Sequence, residues 1–218
     1  GVGIWFIIAL ANPSATSSLI HSFVFGWATE WVFFVGEIVA LFVYYYTFGK
    51  MDRKRHLIIG WLYFIFAWLS LVVINGILAF MLTPGKWLEN GNFWSGFFNP
   101  SYLPSLFFRT FLSLMIAGLF GFLTASFIKK ADLRTRMIRY NAKWLLIPAV
   151  FMAGSAWWYF NAIDAVSQLM LQGGAPRAHS FLELGIHTTG LIIIGGLLIS
   201  LKLPSSLCRP LALILVFA

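Results

Sequence analysis

Residues 57–82 read LIIGWLYFIFAWLSLVVINGILAFML, a run without a single Asp, Glu, Lys, Arg or His. As a helix rising 1.5 Å per residue it is about 39 Å long, more than the ~30 Å hydrocarbon core of a bilayer. The run lacks the apolar/polar alternation of a barrel strand. Lipid offers no hydrogen bonds to an open backbone, so a helix is the form in which it crosses a membrane. Asp52-Arg53-Lys54-Arg55-His56 precedes the run and Thr83-Pro84-Gly85 follows it, a charged start and a turn-forming stop.

Working outward, the same pattern predicts spans at 23–48, 105–128, 144–165 and 181–201, with partial spans at 1–11 and 211–218. Polar connections are expected at 12–14, 49–56, 83–104, 129–143, 172–180 and 202–210. Composition agrees: 60% of residues are hydrophobic and 10% charged, against about 25% charged in soluble domains, and mean hydropathy is +0.86. The expectation is an all-α, polytopic transmembrane helix bundle, 1–218 forming a single transmembrane domain of a multi-pass protein in a bacterial or archaeal cytoplasmic membrane. The sequence opens at Gly1 inside an apolar run and stops inside another, so it reads as a fragment of a longer chain. The lone cysteine, Cys208, has no partner for an internal disulfide, and neither a CxxCH haem-attachment motif nor a CxxC pair occurs.

Ten of the fifteen basic residues fall in two connections: Lys50, Arg53, Lys54 and Arg55 in 49–56, and Lys129, Lys130, Arg134, Arg136, Arg139 and Lys143 in 129–143. Two spans separate them, as one shared side requires, and short basic loops stay on the cytoplasmic side. The connection carrying Trp87 and Trp94 then faces outward. Topology accounts for the net charge of +8 without nucleic acid; a basic face also attracts anionic lipid headgroups.

Ionisable side chains at bilayer depth cost at least ~2.5–3.5 kcal/mol on insertion scales and mark candidate sites. Glu30 and Glu37 lie seven residues apart in one span, on nearly the same helix face and about 10 Å apart along the axis. Glu37 is too deep to snorkel, which leaves pairing, a buried neutral form or a hydrated proton path. Asn75 lies in the next span and reads as a helix-tying hydrogen bonder or a cofactor contact. Arg109 either snorkels or lines a site. Asp164 reads as a solvated position near a span end. Glu183 and His187, one turn apart, read as a haem-iron ligand with its partner, a proton relay, or a structural pair facing the bundle interior.

These residues resemble those of a known family, subunit I of the cytochrome bd quinol oxidases. Gly26-Trp27-Ala28-Thr29-Glu30 through Glu37 resembles the family's helix with two glutamates beside the oxygen-reducing haem pair. The basic turn Asp52-Arg53-Lys54-Arg55-His56, Ile74-Asn75-Gly76 with Thr83-Pro84, and Asn99-Pro100 follow at similar distances. Gly1-Val2-Gly3 resembles the middle of the family's second helix, so its first, which supplies a haem-binding His, would precede Gly1. The resemblance covers about residues 1–161. It implies b-type haem, with d-type haem as a further candidate, and an oxidoreductase role in the respiratory chain. Glu30 and Glu37 would act beside the haem or on its proton path. From their own positions in the spans, His187, Glu183, Arg109 and Asn75 are the candidate cofactor-binding residues, with His187 the candidate iron ligand.

Departures from the family are equally specific. Phe108 and Arg109 stand where it has the His that ligates the low-spin haem. Only residues 172–180 separate the last two full spans, where it carries a long external quinol-binding loop. His187 falls loosely where it has a methionine ligand. The expected function is a haem-bearing membrane subunit that passes electrons, with oxygen as the candidate acceptor. Other membrane subunits and a periplasmic haem protein are its expected partners, and quinol is disfavoured as donor. A haem-free scaffold or proton-conducting subunit is the alternative. A transporter would show a repeated pair of interrupted helices, and none is seen.

Overall fold

The computed structural model describes residues 2–202 and 208–217, with no side-chain description for 2–5, 8, 202, 208–211 and 217. Every regular element among the described residues is helical: α1 Val2–Ala11, α2 Pro13–Ser22, α3 Val24–Tyr46, α4 Arg53–Phe80, α5 Trp87–Asn90, α6 Phe93–Phe97, α7 Tyr102–Ser126, α8 Ala131–Ala162, α9 Ala165–Leu169, a π turn Met170–Gly174, α10 Pro176–Lys202 and α11 Cys208–Phe217. Five of these, α3, α4, α7, α8 and α10, are long and apolar enough to cross a membrane, and the protein is a membrane protein.

Helix ends follow local chemistry. Asn12 caps α2 by accepting from the Ala15 amide at 3.1 Å, with Pro13 in the first turn, where a missing N–H costs nothing. Asp52 caps α4, its Oδ2 accepting from the amides of Lys54 and Arg55 at 3.2 and 3.3 Å. The turn between α3 and α4 closes through Gly49 at φ +73°, a conformation that a Cβ would strain.

The expected spans and the helices agree to within a few residues except at α8. The connection expected at 129–143 is mostly the start of this 32-residue helix. At about 48 Å it exceeds the ~30 Å hydrocarbon core by about 18 Å, roughly three turns, so its basic beginning continues into water as helix. The Arg136–Asp132 ion pair at 2.7 Å, one turn apart, supports that exposed segment. Within 83–104 the chain forms α5 and α6 where only a connection was expected. The connection expected at 202–210 falls largely on residues 203–207, outside those described, as do Gly1 and Ala218.

The chain divides into two compact units, residues 1–106 and 107–218. In the first, α3 and α4 pack as an antiparallel pair. Gly26 lies against Ile77, Gly36 against the Phe66 ring and Gly60 against the Tyr44 ring, small residues admitting large ones across the seam. Phe23, fully buried, anchors one end of this unit against Phe80 and Phe93, with ring centroids at 4.6 and 5.5 Å. The second unit is built on Met115, Leu119, Phe122, Leu145, Ile192 and Ile199. A Cβ at Gly118 would sit 2.6 Å from the Leu145 backbone nitrogen, so α7 and α8 pack there at backbone contact.

Candidate functional site

The α3 face that carries Glu30 and Glu37 is set by helix periodicity, since seven residues return the chain to within about 20° of the starting direction. Glu30 is held: its Oε1 accepts a hydrogen bond from the hydroxyl of Ser70 on α4 at 2.9 Å, and Ser70 is itself buried. Glu37, half-buried, makes no hydrogen bond or ion pair among the described residues, and it feels the charge of Glu30. Gly36, beside it, lets the Phe66 ring close the seam at the depth of Glu37.

Asn75 is completely buried and is bound into protein at both ends of its amide. Its Nδ2 donates to the Tyr102 carbonyl at 2.9 Å, and its Oδ1 accepts from the Ser105 hydroxyl at 3.0 Å. Asn99 donates to the Gly76 and Gly96 carbonyls at 3.3 and 3.0 Å, while its Oδ1 accepts from Thr83 and Ser101, each at 3.1 Å. The Thr83 and Ser101 hydroxyls bond to each other. The sequence segments Asn75-Gly76, Thr83-Pro84 and Asn99-Pro100 therefore meet in one buried polar knot. It ties the end of α4 to the start of α7. Of the two readings of Asn75, its hydrogen bonds are those of a helix tie, with both ends of the amide engaged by protein. Sequence reading missed Ser101 and Ser105; their four-residue spacing on a helix start was the available signal.

The remaining candidates lie in the second unit. Arg109, half-buried on α7, interacts electrostatically with Tyr159 of α8, whose ring is tilted against Phe108 at 6.3 Å. Asp164 is an exposed helix cap: its Oδ2 accepts from the Ser167 amide at 3.3 Å, and the Ser167 side chain and amide hold its carboxyl below the usual aspartate range. Glu183 pairs with His179, not with His187, at 3.3 Å. His179 and His187 are equally spaced from Glu183, but the His179 ring is fixed by its Nδ1 contact with the Leu171 carbonyl at 2.7 Å. His187 is exposed and has no hydrogen-bond partner among the described residues. The interior orientation expected for Glu183 and His187 is corrected accordingly: α10 turns Leu182, Gly185, Ile186 and Thr189 toward its neighbours, and residues 183 and 187 lie on another face.

Each unit holds an apolar groove. One of about 600 Å³ is lined by Gly26, Thr29, Val72, Phe93, Phe97 and Tyr102 among others. The other, about 560 Å³, lies between α7, α8 and α10 and includes Phe108, Leu112, Met152 and Ile186. Neither contains a glutamate or histidine from the candidate set. No cluster of three or more His, Cys, Asp or Glu side chains suited to a metal ion occurs among the described residues.

Family models, curated proteins and solved structures give no match to this chain. Its chemistry is thus read from the geometry above.

Proposed function

We propose that this chain is a haem-bearing membrane subunit of a respiratory electron-transfer complex, similar to subunit I of the cytochrome bd quinol oxidases. The observation that carries the reading is the α3 face. It presents two carboxyls at membrane depth, one held by Ser70 and the other without a protein hydrogen bond among the described residues. A carboxylate in that position is costly unless a cationic group, an iron centre or a proton offsets its charge.

The side chains present fit such a group in their donor chemistry. Glu37 and His187 both keep their lone pairs unengaged among the described residues. A haem beside α3 would have its charge compensated by Glu37, and one beside α10 would be held by His187. Bound haem supplies reversible one-electron transfer. The chain's own part is to position and to move protons. Ser70 fixes the Glu30 carboxyl against α4, leaving its second oxygen available. Glu37, about 10 Å from it along the same face, accepts and releases a proton while apolar side chains keep bulk water out. Oxygen is the proposed acceptor, a haem protein docking on the 83–104 side the proposed donor, and other membrane subunits cover the exposed helix faces.

A second reading, a haem-free scaffold or proton-conducting subunit, is favoured by one observation: His187 points away from the groove that α10 lines. A reduced-minus-oxidised spectrum of the purified protein, with pyridine haemochrome quantification, separates the two. A b-type band that shifts in Glu37→Gln is the expected result, and a protein without haem leaves the second reading.

A further inference from the structure

We infer that the turn between α3 and α4 is a binding site for one anionic phospholipid of the leaflet it faces. The last turn of α3 carries three consecutive tyrosines, Tyr44, Tyr45 and Tyr46, at the depth where a membrane helix leaves the hydrocarbon and amphipathic rings are favoured. With Phe48 and Lys50 they line an open cleft of about 510 Å³. Its base is rigid. Tyr44 stacks on His56 with ring centroids 4.1 Å apart, and the His56 Nε2 lies 2.9 Å from the Tyr44 carbonyl. Phe48 closes edge-on against the same imidazole at 5.4 Å.

Four cations surround this aromatic cleft in sequence: Lys50, Arg53, Lys54 and Arg55, all exposed. Asp52, the one acid of the turn, is engaged in capping α4. None of the four cationic side chains makes an ion pair or hydrogen bond among the described residues. At the basic start of α8, Arg136 is paired with Asp132 and Arg134 donates to the Ile128 carbonyl at 3.3 Å, while Lys129, Lys130, Arg139 and Lys143 make no such bond among the described residues. Unpaired positive charge at the membrane surface next to an aromatic cleft is complementary to a phosphodiester headgroup with its glycerol and upper acyl chain. A soluble anion would have no use for the exposed ring faces of Tyr45 and Tyr46, so the bilayer is the source. The inference does not depend on whether the chain binds haem.

The test titrates the purified full chain, in neutral-detergent micelles, with phosphatidylglycerol or phosphatidylcholine and counts bound lipid by native mass spectrometry. One phosphatidylglycerol should bind at least ten-fold more tightly than phosphatidylcholine. K50Q/R53Q retains Lys54 and Arg55 to hold the topology; with about five-fold lost per cation, it should bind about 25-fold more weakly. R139Q/K143Q should stay within two-fold of the unmodified chain. Equal binding of the two lipids, or unchanged binding in K50Q/R53Q, overturns the site. Displacement of the lipid by millimolar inorganic phosphate overturns the lipid as its ligand. If K50Q/R53Q fails to fold, the unmodified chain decides: raising salt from 50 to 500 mM should release phosphatidylglycerol at least ten-fold more readily, and salt-independent retention refutes the proposal.

Discussion

Replacing Asn75 by Ala isolates the polar knot between α4 and α7. The change removes the bond to the Tyr102 carbonyl and the bond from Ser105, both in a fully buried position. Hydrogen bonds between membrane helices contribute about 0.6 kcal/mol each on average and up to about 1.7. The Tyr102 carbonyl keeps a second donor, the Ser105 hydroxyl at 3.1 Å, so no acceptor is orphaned. Two bonds therefore account for about 1–2 kcal/mol, and the void left by the amide adds about 1 kcal/mol. A loss of about 2–3 kcal/mol in a chain of this length lowers Tm by about 4–12 °C. Thermal unfolding followed by tryptophan fluorescence in mild detergent measures it. Asn161→Ala is the control, because Asn161 is exposed and, among the described residues, bonds only to the Trp157 carbonyl one turn back; its Tm should move by no more than about 1 °C. An Asn75→Ala protein with unchanged Tm would refute the reading of Asn75 as a helix tie. One with unchanged Tm and an altered haem spectrum would restore it as a cofactor contact.

Gly118→Val should strongly destabilise the second unit, because its Cβ would overlap the Leu145 backbone at 2.6 Å, where no rotamer change relieves it; loss of the folded species in size-exclusion chromatography is the readout. The lowered carboxyl of Asp164 makes the α9 cap fully effective above the ordinary aspartate range and weakens it only as pH falls through the lower folded-state value. The Ser167 amide resonance should titrate with a midpoint below that of an ordinary aspartate, and Asp164→Asn should abolish the titration. His179→Ala should loosen the π turn and raise amide exchange around Leu171, whereas His187→Ala should leave exchange there unchanged. For orientation, cysteines introduced at Glu89 and Asp132 in a Cys208→Ser background should be labelled from outside and protected, respectively; the reverse pattern would invert the proposed topology.

Much of this protein is legible in one dimension because lipid imposes a rule on every residue of a span. A helix closes its own backbone hydrogen bonds, so length and hydropathy alone mark α3, α4, α7, α8 and α10, and Asn12, Asp52 and Gly49 mark ends and turns through local geometry. The shared face of Glu30 and Glu37 is local too, since periodicity within one helix decides it. The failures share a cause. Where α8 begins depends on helix continuing into water, which hydropathy does not register. Pairings between helices depend on register across a seam: Ser70 reaching Glu30, Asn75 meeting Tyr102 and Ser105, and Asn99 meeting Thr83 connect residues up to forty positions apart. The choice of Glu183 between His179 and His187 turned on a contact with Leu171 that spacing alone does not reveal. Sequence determined which segments are long and apolar enough to enter a membrane and which charges accompany them. Only tertiary packing decided which of those polar groups are tied into the protein and which, like Glu37 and His187, remain available, because burial of a side chain is a property of its neighbours' positions in space.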